Sequence, residues 1–316
     1  MKFRCIAIVS LIFLFVASGC APHTEQKTKD PLDVTTTLYP LQFFSEQIGG
    51  RYVHVRNVVP PGSDAHSFEP TTQDMVSIAD SNVFIYNGTG VEGFANKVTD
   101  IVKDEGVMTV KAATGIPLAR LSHAQDEEEE HAGHQEHDEH DDGDIDPHVW
   151  IDPLYAIDLA KNIEQSFSKL RPQHKAYFQK NFFTLKKELL RIHQSFLSVT
   201  KHKKNKEMIV SHAAYGYWEK RYGIRQVAVT GISPSQEPSQ KQLQALISHV
   251  KRTHTSYILL EKTASDKIAR IVEQEAGAKT LTLRNLETLT PQEEKAGETY
   301  LSLMKQNVNV LQKVLK

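Results

Sequence analysis

The chain has 316 residues, of which 40% are hydrophobic, and a formal net charge of -2 at pH 7. This length can form one large domain or two of ordinary size, with enough apolar residues to build their cores. A nearly neutral chain has no global basic field, so its charge gives no indication of a nucleic-acid partner.

The first 19 residues have the pattern of a signal peptide. Residues 1–4 carry two positive charges, and the apolar run IAIVSLIFLFV is too short for a spanning helix, which needs about 20 residues. The next four residues, ASGC, resemble a bacterial lipobox, which implies cleavage before Cys20 and lipid attachment to it. A plain signal peptide with an incidental cysteine is the alternative. Residues 20–32 are mostly polar, and we interpret them as a tether from the membrane.

Cysteine usage limits the metal chemistry. Cys5 would leave with the signal peptide and Cys20 would carry lipid, so the mature fold would contain neither a disulfide nor a thiolate ligand. Any metal site must therefore use nitrogen and oxygen ligands.

From residue 34 onward, β-rich runs alternate with amphipathic helical patterns, which predicts parallel sheets covered by helices. The second half repeats the element order of the first. In SFEPTTQDM, Thr71 precedes Asp74 by three residues, as expected of a capping box. In SQEPSQKQL, Ser239 and Gln242 repeat that spacing. The matching order and caps predict two similar α/β lobes.

The segment between the two halves predicts one long helix. Its apolar residues are spaced 4,3,4,3,4,3 along a helix of roughly 28 residues, about 42 Å long. They are Phe178, Phe182, Leu185, Leu189, Ile192, Phe196 and Val199. A coiled-coil seam would give the same stripe, but we favour an intramolecular backbone on which both lobes pack.

The predicted division of the chain has five parts. They are a signal peptide (1–19), a lipid-anchored tether (20–32), an N-terminal α/β lobe (33–171), a connecting helix (172–201) and a C-terminal α/β lobe (202–316). Two such lobes around a stiff connector enclose a cleft, and ligands of these sheets bind beyond the carboxyl ends of the strands.

Three histidines stand at strand-to-helix junctions. His66 follows the strand VHVRNVV, His148 precedes a helix that Asp152 and Pro153 can start, and His212 ends the strand MIVSH. A single histidine at such a position is more often structural or exposed than a ligand. Three at equivalent junctions indicate a metal site, and three imidazoles with one carboxylate suit tetrahedral Zn²⁺.

Two acids are candidates for the carboxylate. Glu261 follows the strand SYILL and Glu287 follows the strand KTLTLRNL. Both stand at strand ends in the second half, and spacing alone does not choose between them.

The lipobox, DAHSFEPTTQD, DPHVWIDP, VSHAAYGY and the long helix together resemble the metal-binding lipoproteins of bacterial ABC importers, in particular the zinc branch (ZnuA/AdcA type, cluster A-I). The resemblance covers essentially the whole mature chain. It implies two (β/α)4 lobes with parallel sheets, joined by one long rigid helix, with the metal in the cleft between them.

The resemblance also implies a ligand set. Its motif histidines fall on His66, His148 and His212. In manganese-type members a Glu stands at the position that corresponds to His212, so a histidine there favours zinc. The fourth ligand of relatives maps best to Glu287. Some zinc relatives carry an Asp where this chain has Asn285, so the fourth ligand stays open and water could take its place.

Residues 122–146 form an acidic, histidine-rich stretch without apolar anchors, and residues 126–146 carry twelve carboxylates. We expect this segment to be disordered without metal and to gather zinc loosely. A solvated spacer is the alternative interpretation. Its histidines are His123, His131, His134, His137 and His140.

The leading functional hypothesis is a zinc-capturing lipoprotein that delivers Zn²⁺ to the membrane permease of an ABC importer. We expect a monomer on the extracytoplasmic face of the cell membrane, without enzymatic activity, since HExxH, CxxC, GxSxG and P-loop patterns are missing from the sequence. The alternatives are a zinc-dependent hydrolase or hydratase with a three-histidine site, and a surface adhesin stabilised by metal.

Overall fold

A computed structural model describes residues 30–120, 145–231, 238–261 and 266–316. Within it, Pro31–Lys316 form one compact unit. The signal sequence, Cys20 and the five histidines of the acidic stretch lie outside the described residues. The strands are β1 (Leu32–Thr36), β2 (Val53–Asn57), β3 (Val83–Tyr86), β4 (Met108–Lys111), β5 (Glu207–Val210), β6 (Arg225–Ala228), β7 (Tyr257–Leu260) and β8 (Lys279–Thr282).

These strands form two sheets of the same topology. The first has the order β2-β1-β3-β4 and the second β6-β5-β7-β8, and every neighbouring pair is parallel. Parallel neighbours need crossover connections, which the intervening helices provide. The two lobes predicted from the repeated element order are therefore confirmed.

Ten α-helices cover the described parts of the sheets. They are α1 (Tyr39–Gly49), α2 (Thr72–Ala79), α3 (Ala95–Val102), α4 (Pro153–Leu170), α5 (Lys175–Thr200), α6 (Gly216–Tyr222), α7 (Gln240–Thr253), α8 (Asp266–Ala276), α9 (Pro291–Lys295) and α10 (Tyr300–Val314). No helix of the described ranges has the length and apolar content needed to cross a membrane.

The predicted helix starts are confirmed. Thr71 and Asp74 form the capping box of α2, and Ser239 and Gln242 form that of α7. Each pair satisfies backbone N–H groups that have no partner within the first helical turn. Asp152 caps α4 by accepting a hydrogen bond from the backbone N–H of Leu154.

The long connector is α5, a helix of 26 residues preceded by a 3-10 turn over Pro172–His174. Its buried face contains the first six positions of the predicted stripe, and Thr200 replaces Val199 as the last buried residue. Both residues lie on the face of Phe196, three and four positions beyond it, and Val199 is half-buried against the same core. The helix packs against α1 and α4 of the first lobe and α10 of the second, as an intramolecular backbone requires.

The core has one main cluster and two smaller clusters. The main cluster contains residues of both lobes and the buried face of α5. Successive strand side chains point to opposite faces, so Ile85 joins the main cluster while Phe84 joins a cluster under α2 and α3. In the second lobe Ile209 belongs to a cluster under α7, while Met208 faces the main core.

Candidate metal centre

His66 lies in the loop between β2 and α2. The Asp64 carboxylate accepts hydrogen bonds from the backbone N–H of His66 (2.9 Å) and from the Ser67 hydroxyl (3.1 Å). This local turn is typical of aspartate and fixes the backbone next to the imidazole. The His66 side chain is 11% exposed and is the most accessible member of the site.

His148 is buried and follows an aspartate that orients it. Asp146 Oδ1 lies 2.8 Å from Nδ1 of His148 and accepts a second hydrogen bond, at 3.0 Å, from the backbone N–H of the same residue. The ring is therefore oriented with its Nε2 free for another partner. Asp146 had no role assigned from its sequence position, two residues before the histidine in DPH.

The backbone around His148 is held by the second lobe, although it belongs to the first half of the sequence. Three of its carbonyl oxygens accept hydrogen bonds from aromatic side chains of α6 and α10. The pairs are Asp146 with Tyr217 (2.7 Å), Trp150 with Tyr300 (2.5 Å) and Ile151 with Trp218 (2.7 Å). These contacts fix the segment against the lobe that carries His212.

His212 lies two residues beyond the end of β5 and its side chain is fully buried. Its Nδ1 lies 2.6 Å from Oε1 of Glu261, which directly follows β7. The other oxygen of this carboxylate accepts a hydrogen bond from the Asn285 amide at 2.9 Å. Glu261 therefore contacts the nitrogen of His212 that is not part of the four-residue cluster.

Glu287 enters the site from a turn beyond β8. Leu286, just before it, has a φ of 68° and is buried, a left-handed conformation that costs an ordinary residue about 1–2 kcal/mol. Two contacts hold Glu287 in this turn. Its backbone N–H donates to Oδ1 of Asn285 (3.1 Å), and its carbonyl accepts from the backbone N–H of Tyr39 in the first lobe (3.0 Å).

The structure brings His66, His148, His212 and Glu287 together, with one ligand atom of each within 4.8 Å of all the others. Oε1 of Glu287 lies 3.4, 3.2 and 3.7 Å from the Nε2 atoms of His66, His148 and His212. Ligands about 2.05 Å from a tetrahedral zinc ion would be about 3.3 Å apart. The three distances from Glu287 are therefore close to those expected between ligands of one such shell.

Two nitrogens of this cluster have the environment expected of metal ligands. Among the described residues, Nε2 of His148 and Nε2 of His212 are buried and make no hydrogen bond of normal geometry. Buried polar atoms without partners are costly and rare, so such atoms need an explanation. A metal ion that accepts their lone pairs would provide one.

Electrostatics couple the four groups. Burial alone would raise the pKa of the Glu287 carboxyl, but the imidazoles of His148, His212 and His66 hold that pKa well below its usual range. Burial would lower the pKa of His212, yet Glu261 and Glu287 outweigh it and raise the pKa to about 10. The pKa of His148 is raised in the same way by Asp146 and Glu287. The raised pKa values mean that protons on His212 and His148 compete with a metal ion for this site.

Three other histidines of the described residues make contacts elsewhere. His54 lies 3.8 Å from Asp33, His193 lies 2.9 Å from the Tyr222 hydroxyl, and His249 lies 2.6 Å from Glu207. None of these three belongs to the four-residue cluster.

The sequence of this chain is similar to those of known zinc-uptake and zinc-binding proteins. The family described as zinc-uptake complex component A, periplasmic (ZnuA), matches residues 34–314. The zinc-binding lipoprotein AdcA of Streptococcus pneumoniae is 33% identical over 311 residues, 98% of this chain and 60% of that protein. The high-affinity zinc uptake system protein ZnuA of Bacillus subtilis is 34% identical over 313 residues, 98% of this chain and 97% of that one.

A solved structure shows the same fold. The Zn(II)-bound ZnuA-like domain of Streptococcus pneumoniae AdcA has a TM-score of 0.76 and 32% identity, covering 90% of this chain and 98% of that domain. The present chain thus spans about 60% of the length of its AdcA relatives and nearly the whole of the Bacillus subtilis protein. The matched residues include both lobes and all four members of the cluster, and the chain belongs to the ZnuA family.

Proposed function

We propose that this chain captures Zn²⁺ outside the cytoplasm and delivers it to the membrane permease of an ABC importer. The observation that carries the proposal is the convergence of three imidazole Nε2 atoms on Oε1 of Glu287 at 3.2–3.7 Å. In this proposal His66, His148, His212 and Glu287 are the four ligands, and zinc is the transported cargo.

The donor set supports zinc over harder cations. Three neutral nitrogens and one oxygen suit Zn²⁺, whereas Mg²⁺, Ca²⁺ and Mn²⁺ favour sites rich in oxygen. Asp146 beside His148 supports the same choice, because an imidazole whose Nδ1 is hydrogen-bonded to an acid binds metal through Nε2. At His212 the corresponding contact is the ion pair of Nδ1 with Glu261. The names of the zinc-binding relatives agree with this ligand chemistry.

The closed arrangement supports capture rather than catalysis. A hydrolase or hydratase with three histidines needs a fourth position for water and substrate. In this proposal Glu287 takes that position. Its side chain is only 4% exposed, and Asp146 and Glu261 are each paired with an imidazole. These three acids are therefore not placed as an unpaired general base beside an open position for water.

The anchoring of the protein is part of the same proposal. We infer that residues 1–19 are removed, that Cys20 carries lipid and that residues 20–32 tether a monomer to the cell membrane. The lobes of residues 33–171 and 202–316, joined by the rigid helix of residues 172–201, would then hold zinc in the cleft between them. We also infer that His123, His131, His134, His137 and His140 gather zinc loosely near the cleft.

Zinc titration of the purified chain tests the function. Competition with a chromophoric chelator should show one tight and reversible site, and metal analysis should find zinc bound. Circular dichroism of the chelator-treated protein should show that it stays folded, because both lobes have extensive cores without metal. Unfolding on chelation would favour a structural zinc, as in a metal-stabilised adhesin. Turnover of ester substrates by the zinc-loaded protein would favour a hydrolase.

A further inference from the structure

The turn that follows β3 contains a buried carboxylate that the proposed zinc site does not use. Glu92 is 4% exposed and accepts hydrogen bonds from the Thr37 hydroxyl (2.5 Å) and from the backbone N–H groups of Asn87 (2.7 Å) and Gly88 (3.4 Å). Gly88 has a φ of 79°, a conformation that residues with a side chain rarely adopt. Through these hydrogen bonds the Glu92 carboxylate fixes the backbone of the turn at Asn87 and Gly88.

This closed turn directs two donors at a single carbonyl group. Nδ2 of Asn87 and Oγ1 of Thr89 lie 3.0 and 2.9 Å from the carbonyl oxygen of Pro147. The Asn87 amide also donates to Oγ1 of Thr89 at 2.5 Å, so the hydroxyl proton is left for Pro147. Asn87 is fully buried and Thr89 is 9% exposed, so water competes weakly for these bonds.

The carbonyl of Pro147 belongs to the peptide group that leads into His148. A peptide group is planar, so its oxygen and the N–H of His148 move together. At the other edge of this plane, that N–H donates to Oδ1 of Asp146, which also contacts Nδ1 of the imidazole. Fixing both edges of the plane fixes the direction from which the ring of His148 enters the cluster.

We propose that Asn87, Thr89 and Glu92 form a positioning device for His148. The device joins the first sheet to a segment in which the carbonyls of Asp146, Trp150 and Ile151 are held by the second lobe. It acts through the Pro147 carbonyl and makes no contact with the ion. This inference rests on the proposed zinc function, because a gain in metal affinity is what the positioning provides.

The test compares substitutions of Thr89 in the full chain. Thr89→Val keeps the shape of the side chain and removes the donor to Pro147, whereas Thr89→Ser keeps the hydroxyl. Thr200→Val is the matched control, because Thr200 is also buried and its hydroxyl, among the residues that the structure describes, bonds to the carbonyls of Phe196 and Leu197 within α5. Thr89→Ala removes the same donor with a smaller side chain and replaces Thr89→Val if that variant does not fold.

Three measurements separate positioning from simple stability. They are zinc affinity by chelator competition, the visible absorption spectrum of the Co²⁺-loaded protein and thermal unfolding of the metal-free protein. We expect Thr89→Val to weaken zinc binding by roughly tenfold or more, the range typical of groups that orient a ligand, and to shift the Co²⁺ bands. Thr89→Ser should restore both properties, and Thr200→Val should change only the unfolding temperature.

The outcomes distinguish this inference from the function on which it rests. If Thr89→Val lowers the unfolding temperature but leaves the zinc affinity and the Co²⁺ spectrum unchanged, the turn is structural only and the positioning role is wrong. If the unsubstituted chain binds neither Zn²⁺ nor Co²⁺, the proposed function itself fails together with the inference.

Discussion

Oε1 of Glu261 lies 2.6 Å from Nδ1 of His212, while Nε2 of the same ring lies 3.7 Å from Oε1 of Glu287. The two carboxylates that could not be ranked from sequence spacing thus contact opposite nitrogens of one imidazole. Only Glu287 shares the space into which the other two histidines also project. Glu261 instead lies beside the nitrogen that faces away from the other histidines, where it is placed to orient the ring.

The different contacts of the two acids predict different losses of zinc affinity when each is replaced by glutamine. Glu287→Gln should weaken zinc binding more than Glu261→Gln, because it removes the anionic ligand itself. Glu261→Gln should cost roughly 10- to 100-fold, as expected for a group that orients a ligand. Isothermal titration with a competing chelator measures both variants. A larger loss for Glu261→Gln would show that the fourth ligand is assigned to the wrong acid.

His212 provides the corresponding test among the histidines. His212→Ala should weaken zinc binding by more than about 100-fold, because a ligand contributes more than the groups that orient it. His249→Ala is the control, since His249 contacts Glu207 outside the cluster. Alanine variants at His131 or His140 should also change the tight site little. Equal losses at all these positions would contradict the ligand assignment.

Much of the architecture could be predicted because its signals are local. Strand and helix order follow from short hydrophobic patterns, and the capping pairs at Thr71 and Ser239 depend on residues three positions apart. The three histidines stand next to such elements, and their place at strand-to-helix junctions indicated a shared site. The family resemblance supplied the ion and Glu287 as the better candidate for the acid.

The choice between the two acids depends on contacts that are distant in sequence. Glu287 reaches the cluster because Leu286 adopts a positive φ and because Tyr39, 248 positions earlier in the chain, donates to its carbonyl. Neither feature has a pattern that spacing could show. The roles of Asp146 and Glu261 also depend on which ring nitrogen faces the cluster, and that is decided by the packing of both lobes.

The acidic stretch gives a prediction about two classes of site. Deleting residues 122–142 should leave one tight zinc site and remove only weaker binding, since the four-residue cluster is built from other parts of the chain. Titration of the full and shortened chains, followed by metal analysis after dialysis, measures both classes. Replacing the same residues by a Gly-Ser linker of equal length controls for connectivity. Loss of the tight site in both variants would place the primary site in the stretch.

Protons compete with zinc at this site, and the direction of the pKa shifts sets the pH range. An imidazole must lose its Nε2 proton before it can bind a metal. Since the pKa of His212 is raised to about 10 and that of His148 is raised as well, zinc must displace protons already at neutral pH. Zinc affinity should therefore increase with pH throughout the neutral range, rather than level off above the ordinary histidine value of about 6.5.

Calorimetry in buffers of different ionisation enthalpy measures this competition directly. At about pH 7 the binding enthalpy should depend on the buffer with a slope corresponding to at least one proton released per zinc ion. His249→Ala should leave this slope unchanged, because its imidazole lies outside the cluster. A slope of zero at neutral pH would mean that His212 is already neutral before zinc arrives. The same raised pKa predicts that His212 stabilises the metal-free protein below about pH 6.5 and that this contribution is lost as the pH rises toward 10.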